Sequence, residues 1–364
     1  MNTDNQPLVS ILSSSFNHEK YVKFFIESVL AQTNPNWELI IVDDCSTDNN
    51  ISEIKKFTDS RIKLFQQKFN MGINCASMRA FKESKGKYII QCASDDMLMP
   101  AFVQTVINFM NLHPEIDVFY PRLQCIDSEN NLIPGKEIFS YSGTKYEILN
   151  RLFYKENCLT SPGLVMRRSA FAAIQPLDIA ISQHQDYKIH IQLLLNSNCF
   201  VSQEKLVLYR LPSAVSGISY STPISQRRCD LEENMVMDSF LKINSFETLL
   251  KIFGNDIEQF GADMRKYFPR ILPFVLGKLA MKSDNEFKKM WGYYQIVRFI
   301  NTPDNYDLLH KLYGFCYRDF LNLANDFKIN SFVLKYRKYK RLFNWMLALL
   351  LVLLTSGLVF FCQG

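Results

Sequence analysis

The sequence predicts an α/β protein: a mostly parallel, doubly wound sheet flanked by helices, then a helical region, then a C-terminal apolar membrane helix. Three observations point there. From residue 8 to residue 123, short apolar runs alternate with segments whose apolar residues recur every three or four positions, with short connections between them. Three polar clusters, Ser14-Ser15-Phe16-Asn17, Asp43-Asp44 and Ser94-Asp95-Asp96, each follow one of the apolar runs, which is where an open α/β sheet gathers its ligands. Beyond about residue 224 the β-rich runs stop, and helical spacing continues to residue 332.

Residues 8–13 are the first strand. Residues 17–31 carry Tyr21, Phe24, Phe25, Val29 and Leu30 at helical spacing, and Asn17 is placed to cap that helix. Residues 37–42 form the second strand, closed by Asp43-Asp44, and Ser46-Thr47-Asp48 opens a helix over about 49–57. A strand at 61–65, a helix at 75–84, a strand at 87–92, a helix at 101–112 and a strand at 118–123 follow. After about residue 140 the alternation weakens, with strands at 163–166 and 199–208 and a helix at 187–195. The expected divisions are 1–222 for the sheet domain, 223–334 for the helical region and 335–364 for a basic segment plus membrane helix.

With 364 residues, 48% hydrophobic and 21% charged, the chain can bury a large core and shows no disordered composition. A net charge of +5 is too small to argue for a nucleic-acid partner. The nine cysteines are scattered with no Cys-x-x-Cys pair, which argues against a zinc ribbon and fits reduced thiols in the cytoplasm. Residues 1–7 show no secretory signal. The run from Trp345 to Cys362 is uncharged and apolar on every face. As a helix it would reach roughly 27 Å, near the minimum for a bilayer span. Lys335, Arg337, Lys338, Lys340 and Arg341 precede it, so the expected location is the cytoplasmic face of the membrane, anchored by that helix. A buried C-terminal helix and an in-plane helix interrupted at Thr355-Ser356-Gly357 are the competing readings.

Asp95 and Asp96 follow the apolar run Tyr88-Ile89-Ile90. Adjacent carboxylates repel unless solvent screens them or a divalent cation sits between them. A hard cation on one or two carboxylates, with its other positions open to phosphate oxygens, is a common way to hold a nucleotide diphosphate. A polar turn with Asp96 as a helix cap accounts for the same residues without chemistry.

The stretches Val9-Ser10-Ile11-Leu12-Ser13-Ser14-Ser15-Phe16-Asn17, Ser28-Val29-Leu30-Ala31-Gln32-Thr33 and Trp37-Glu38-Leu39-Ile40-Ile41-Val42-Asp43-Asp44-Cys45-Ser46-Thr47-Asp48, then Asn70-Met71-Gly72, Gly86-Lys87-Tyr88-Ile89-Ile90 and Ser94-Asp95-Asp96, resemble in order and spacing the family-2 glycosyltransferases with the GT-A fold, over about the first 210 residues. The resemblance implies a nucleotide-sugar donor, a divalent metal (Mn²⁺ or Mg²⁺), and inverting transfer to a hydroxyl of a glycan or lipid-linked acceptor. The resemblance is to the type that builds cell-surface polysaccharides, and the basic segment and apolar tail would hold the site near a lipid-linked acceptor at the cytoplasmic membrane surface. By the same resemblance Ser14 and Phe16 contact the nucleoside base, and Asp44 hydrogen-bonds it. Phe16 can stack on a base, or serve as a core aromatic. Asp96 matches the metal-contacting carboxylate and Asp95 the one that reaches the ribose or metal, while Ala93 stands where the fuller motif has its first Asp.

Gln183-His184-Gln185-Asp186-Tyr187 resembles the stretch that carries the catalytic base, with Asp186 at the base position and Gln185 in place of the usual acidic neighbour. An inverting transfer needs a carboxylate within hydrogen-bond reach of the acceptor hydroxyl; a helix-capping role for Asp186 is the alternative. Arg210 resembles a basic residue near the donor phosphates and equally suits a structural ion pair. Ser77-Met78 stand where the family often has Arg-Asn, and solvated surface is the expectation for Arg79. The departures at Ala93, Ser77-Met78 and Gln185 leave a second function open, a catalytically degenerate glycosyltransferase that scaffolds a glycan assembly complex. A nucleotidyltransferase-like enzyme is a third reading, and Ser13 to Asn17 lacks the glycine-rich loop it would need.

Overall fold

Strands covered on both faces are unbroken apolar runs, and β1 (Val9–Ser15) and β2 (Trp37–Asp43) are buried along almost their whole length. The computed structural model describes residues 7–211 and 222–327, together with 339, 340, 342, 343, 345 and 346. Between β1 and β2 runs α1 (Val22–Leu30), and α2 (Asn50–Ile54) leads to β3 (Ile62–Gln66). Helix α3 (Ile73–Glu83) then leads to β4 (Tyr88–Gln91). The two-residue β5 (Met97–Leu98), α4 (Phe102–Leu112), β6 (Val118–Ile126), β7 (Leu132–Ile138) and α5 (Lys145–Tyr154) follow. Next come β8 (Leu164–Arg167), α6 (Arg168–Ala173), α7 (Gln185–Asn196) and β9 (Cys199–Arg210). The helical remainder holds α8 (Pro223–Met237), α9 (Phe246–Phe253), α10 (Leu272–Ala280), α11 (Glu286–Ile300), α12 (Asn305–Tyr313) and α13 (Tyr317–Asn322). The chain divides into two units, Met1–Leu308 and Leu309–Gly364, and the site described below lies in the first.

The described strands form one nine-stranded sheet in the order β3-β2-β1-β4-β8-β6-β9-β5, with β7 added beside β6. It is a mixed sheet, which corrects the expected mostly parallel one. β3, β2, β1 and β4 are parallel, whereas β8 runs antiparallel to both β4 and β6. The physical reason lies in the connections. Helical crossovers bring each of the first four strands back in the same direction, and after β4 the strand–helix alternation breaks. The core under the parallel half is built from β1, β2 and β4 against α1 and α4, with Ile11, Phe25, Leu39, Ile41, Ile90 and Val106 fully buried.

Two further expectations are corrected. Helix α1 starts at Val22 after Tyr21 rather than near residue 17. Asn17 instead takes a left-handed conformation, φ 55°, and its Oδ1 accepts from Thr47 N at 2.8 Å; the side chain bridges two loops instead of capping a helix. The C-terminal membrane helix and the membrane anchorage built on it are also overturned. Among the described residues no helix is long and apolar enough to cross a membrane. The longest, α8 and α11, have 15 residues each, about 22 Å at 1.5 Å per residue against roughly 30 Å of hydrocarbon, and both carry charged side chains. Of the apolar run 345–362, all but Trp345 and Met346 lies outside the described residues.

The helices α10 and α11 approach through glycine. A Cβ at Gly277 would lie 2.8 Å from Gly292 O, and one at Gly292 would lie 2.5 Å from Gly277 O. Only the absence of a side chain at both positions permits that crossing.

Candidate active site

The carboxyl ends of β1, β2 and β4 lie side by side, because β1 pairs with both of the others. A chain of buried polar groups joins these ends. Asn50 Nδ2 donates to Asp43 Oδ1 at 2.7 Å and to Ser15 Oγ at 2.9 Å. Ser94 Oγ donates to Ser15 Oγ at 2.7 Å, and His18 Nδ1 lies 2.8 Å from Ser94 Oγ. The other ring nitrogen of His18 is 3.8 Å from Asp95 Oδ2. Polar groups excluded from water need such partners, and here they lock the loops after three strands into one arrangement.

The donor-side residues expected from the sequence fall along this crevice. Phe16 directly follows β1 and is 41% exposed, so it is not a core aromatic. Ser14 is half-buried and its Oγ donates to Ile73 O at 3.4 Å, facing the start of α3. Asp44 is buried, and its two oxygens accept from Met71 N and Gly72 N, each at 2.8 Å. That pair of bonds holds the loop from β3 to α3 against the end of β2. Arg79 is not simply solvated: its Nη1 donates to Gln66 O at 2.6 Å and to Gln67 Oε1 at 3.1 Å.

Asp96 is 2% exposed, and its Oδ1 accepts from Arg210 N at 2.9 Å. Burial first, and then the charge of Asp95 beside it, push its carboxyl well above the ordinary range. Arg210 is buried and spends its guanidinium on this loop and its neighbour. Nε donates to Asp95 O at 2.8 Å and Nη1 to Asp127 O at 2.6 Å, while Nη2 donates to Asn130 Oδ1. The guanidinium carbon also sits 4.3 Å from the centre of the Tyr21 ring.

No group of three or more His, Cys, Asp or Glu able to hold a metal ion is found among the described residues. A cation held by protein ligands alone therefore does not fit. Asp95, 34% exposed, and the buried Asp96 are the carboxylates that would hold a cation of the Mg²⁺ or Mn²⁺ kind, which takes one or two carboxylates and completes its shell with substrate phosphates and water.

Asp186 lies on a different element, in the first turn of α7. Burial pushes its carboxyl above the ordinary range, opposed by hydrogen bonds and by the His184 charge. One oxygen accepts from Tyr187 N at 2.7 Å and the other from Asn157 Nδ2 at 3.2 Å. The loop leading to α7 is tied to the donor side by Asn74 at the start of α3, whose Nδ2 donates to Asp178 O at 2.6 Å. Behind it, Ser161 Oγ is 3.5 Å from His190 Nε2. Burial pushes the His190 imidazole down to about 3, so it is neutral at physiological pH. The structure thus gathers Ser14, Phe16, Asp44, Asp95, Asp96 and Arg210 around the strand ends, while Asp186 lies on α7 and the Asn74 bond reaches Asp178, eight residues before it. A separate cavity of about 530 Å³, lined by Tyr141, Tyr146, Arg151, Tyr154 and Lys251 among others, contains none of these residues.

Several participants escape a reading of the sequence. Ser15 and Ser94 lie inside polar clusters that were legible, but Asn50, Asn74 and Asn157 carry no local signal and act only through partners far along the chain.

A mixed α/β sheet with a carboxylate pair beside its parallel strand ends does not by itself fix an activity, and the comparisons supply the family. The sequence model of Glycosyl transferase family 2 matches residues 10–175. An uncharacterised glycosyltransferase of Methanocaldococcus jannaschii is 28% identical over 220 residues, 59% of this chain and 74% of that protein. The Escherichia coli UDP-Glc:alpha-D-GlcNAc-diphosphoundecaprenol beta-1,3-glucosyltransferase WfgD is 32% identical over 191 residues, 52% of this chain and 71% of WfgD. Among solved structures, S. aureus TarS 1–349 in complex with UDP aligns with a TM-score of 0.54 at 16% identity, covering 85% of this chain and 93% of that one; this likeness shows the fold. The chain belongs to glycosyltransferase family 2, and it is a glycosyltransferase.

Proposed function

We propose that this enzyme transfers a sugar, with inversion, from a UDP-sugar to a hydroxyl of a lipid-diphosphate-linked or free glycan in the building of a cell-surface polysaccharide. The observation that carries the reading is the buried Asp96 beside Asp95 at the joined ends of β1, β2 and β4. The printed activity of WfgD, with UDP-Glc as donor and a diphosphoundecaprenol-linked acceptor, supports the donor and acceptor classes. The complexes of TarS with UDP and with UDP-GlcNAc support the donor.

In this reading Phe16 stacks on the base, with Ser14 and Asp44 at the same end of the crevice. Asp95 and Asp96 would hold a divalent cation, Mn²⁺ or Mg²⁺, which supplies positive charge against the leaving diphosphate. Arg210 holds the Asp95–Asp96 loop through its backbone bonds. Asp186 is the general base. It takes the proton of the acceptor hydroxyl as that oxygen forms its bond to the anomeric carbon and the bond to the diphosphate breaks, the electron pair leaving with the diphosphate. A single displacement of this kind inverts the centre. A carboxyl raised by burial accepts that proton more readily than an ordinary one.

The test is binding and hydrolysis of UDP-, GDP- and dTDP-sugars by the purified protein, with and without Mn²⁺. Metal-dependent binding of a UDP-sugar, lost in Asp96→Ala, is the expected result. A folded protein that binds no donor would replace this reading with the degenerate scaffold.

A further inference from the structure

The helical region beyond residue 222 lies outside the matched family segment, residues 10–175, yet it sends buried charges to the loop that carries Asp186. Glu232 and Glu233 are neighbours on α8, 4% and 5% exposed. Glu232 accepts four hydrogen bonds from one short stretch. Its Oε1 takes Ser182 N at 2.9 Å and Ser182 Oγ at 3.1 Å, and its Oε2 takes Gln183 N and His184 N, each at 2.8 Å. Glu233 Oε2 lies 3.5 Å from His184 Nε2, and its Oε1 lies 3.5 Å from Lys288 Nζ on α11. Lys288 is fully buried. It donates to Leu152 O at 2.9 Å, to Phe153 O at 3.0 Å, to Lys155 O, and to Tyr187 Oη at 2.8 Å. Tyr187 in turn donates to Leu152 O. Asp186 therefore sits between two held segments, 182–184 on one side and Tyr187 on the other.

Buried ionic clusters are a weak source of stability compared with apolar packing; here Glu232 has both oxygens hydrogen-bonded, whereas Glu233 Oε1 has only the 3.5 Å ion pair with Lys288 and no hydrogen bond. Three consecutive backbone N–H groups converging on one carboxylate leave the entry into α7 a single orientation. That orientation aims the first turn, and so the Asp186 carboxylate.

We propose that Glu232 is a positioning residue for Asp186, with the Glu233–Lys288–Tyr187 chain fixing the far side, so that α8 and α11 are part of the catalytic apparatus. The proposal rests on the reading of Asp186 as the base. A base displaced by even about 1 Å costs on the order of a hundredfold in rate, whereas donor binding on the strand ends needs none of these groups.

The experiment measures UDP-glucose and UDP-GlcNAc hydrolysis and UDP binding for the full chain and for Glu232→Gln, Asp186→Asn and the double variant. Glu232→Gln is expected to lower kcat by about tenfold or more while leaving donor KM and UDP affinity within about twofold. Because Glu232 acts through Asp186, the double variant is expected to be no slower than Asp186→Asn alone. Losses that multiply in the double variant, or an unchanged kcat in Glu232→Gln, overturn the proposal. Wild-type turnover in Asp186→Asn overturns the base reading instead, and the positioning role with it. If Glu232→Gln does not fold, Glu232→Asp and Ser182→Ala decide the matter: a kcat loss of about threefold with KM unchanged supports the proposal, and no loss overturns it. Hydrogen exchange reads the same clamp without turnover. Faster exchange confined to 182–188 is expected in these variants, and unchanged exchange there overturns the proposal.

Discussion

On the proposed donor side and the proposed acceptor side the carboxylates alike accept backbone N–H groups, and the turns that bear them are held by different means. On the donor side most of the holding is local: Asp44 accepts from Met71 N and Gly72 N, Asp96 accepts from Arg210 N, and one side chain, the Arg210 guanidinium, bonds Asp95 O. On the acceptor side, the turn that bears Asp186 is held by side chains drawn from α8 and α11, the nearest of them 46 residues further along the chain. A turn held through backbone N–H groups tolerates wide sequence change around it, because every residue but proline carries an N–H. One held by buried charges depends on a few particular residues, and each loss leaves a partner unpaired.

The sharpest break of this comparison is at Asp186. Asp186→Asn is expected to reduce turnover by about 10²–10⁴-fold with UDP affinity unchanged, measured by kinetics alongside calorimetric titration. A fall in UDP affinity of similar size would show that the two sides are not separable. Next in size is Lys288→Met, which removes the lysine donor from Phe153 O, leaves Leu152 O with Tyr187 alone, and removes the buried ion-pair partner of Glu233. It is expected to cost about 3 kcal/mol or more of stability, read by denaturant unfolding; a neutral result would mean that the Lys288 bonds do not hold these segments. A smaller loss is expected at the amino ends of β1 and β4, away from both carboxylate sites, from Gly86→Ala. Its Cβ would meet Ser10 N at 2.5 Å, and overpacking of that kind costs about 1–3 kcal/mol; unchanged stability would show that β1 and the turn before β4 can part.

The smallest effect is a pH dependence. Asp186 in the folded chain is raised above its ordinary value of 3.8. Protonated Asp186 therefore contributes stability that is complete below that value and is lost as pH rises through the folded one. Relative to Asp186→Asn, the wild-type protein should lose stability between pH 4 and pH 7. Urea unfolding at the two values checks this, and a gap that stays constant would mean the carboxyl titrates normally.

The donor side was open to a reader of the sequence because its determinants are local. Unbroken apolar runs such as Leu39-Ile40-Ile41-Val42 can only be buried strands, and a polar cluster directly after such a run must emerge at the strand's carboxyl end. The placing of Phe16, Asp44, Asp95 and Asp96 after strands followed from that pattern, and the roles assigned to them came from the family resemblance. Asn17 misled because a residue that suits a helix cap suits a left-handed turn as well, and only the distant Thr47 N decides between them. The anchor drawn from residues 345–362 rested on hydropathy of a run almost entirely outside the described residues.

Strand–helix alternation, the polar strand ends and the carboxylate pair were thus settled by short-range pattern, where the chemistry of each residue and its few neighbours is enough. The reversal of β8 beside β4, the burial that raises Asp96 and Asp186, and the grip of Glu232 on residues 182–184 were settled only by folding. Each depends on which segments meet after long connections, and buried charge takes its meaning from the partners that tertiary structure brings to it.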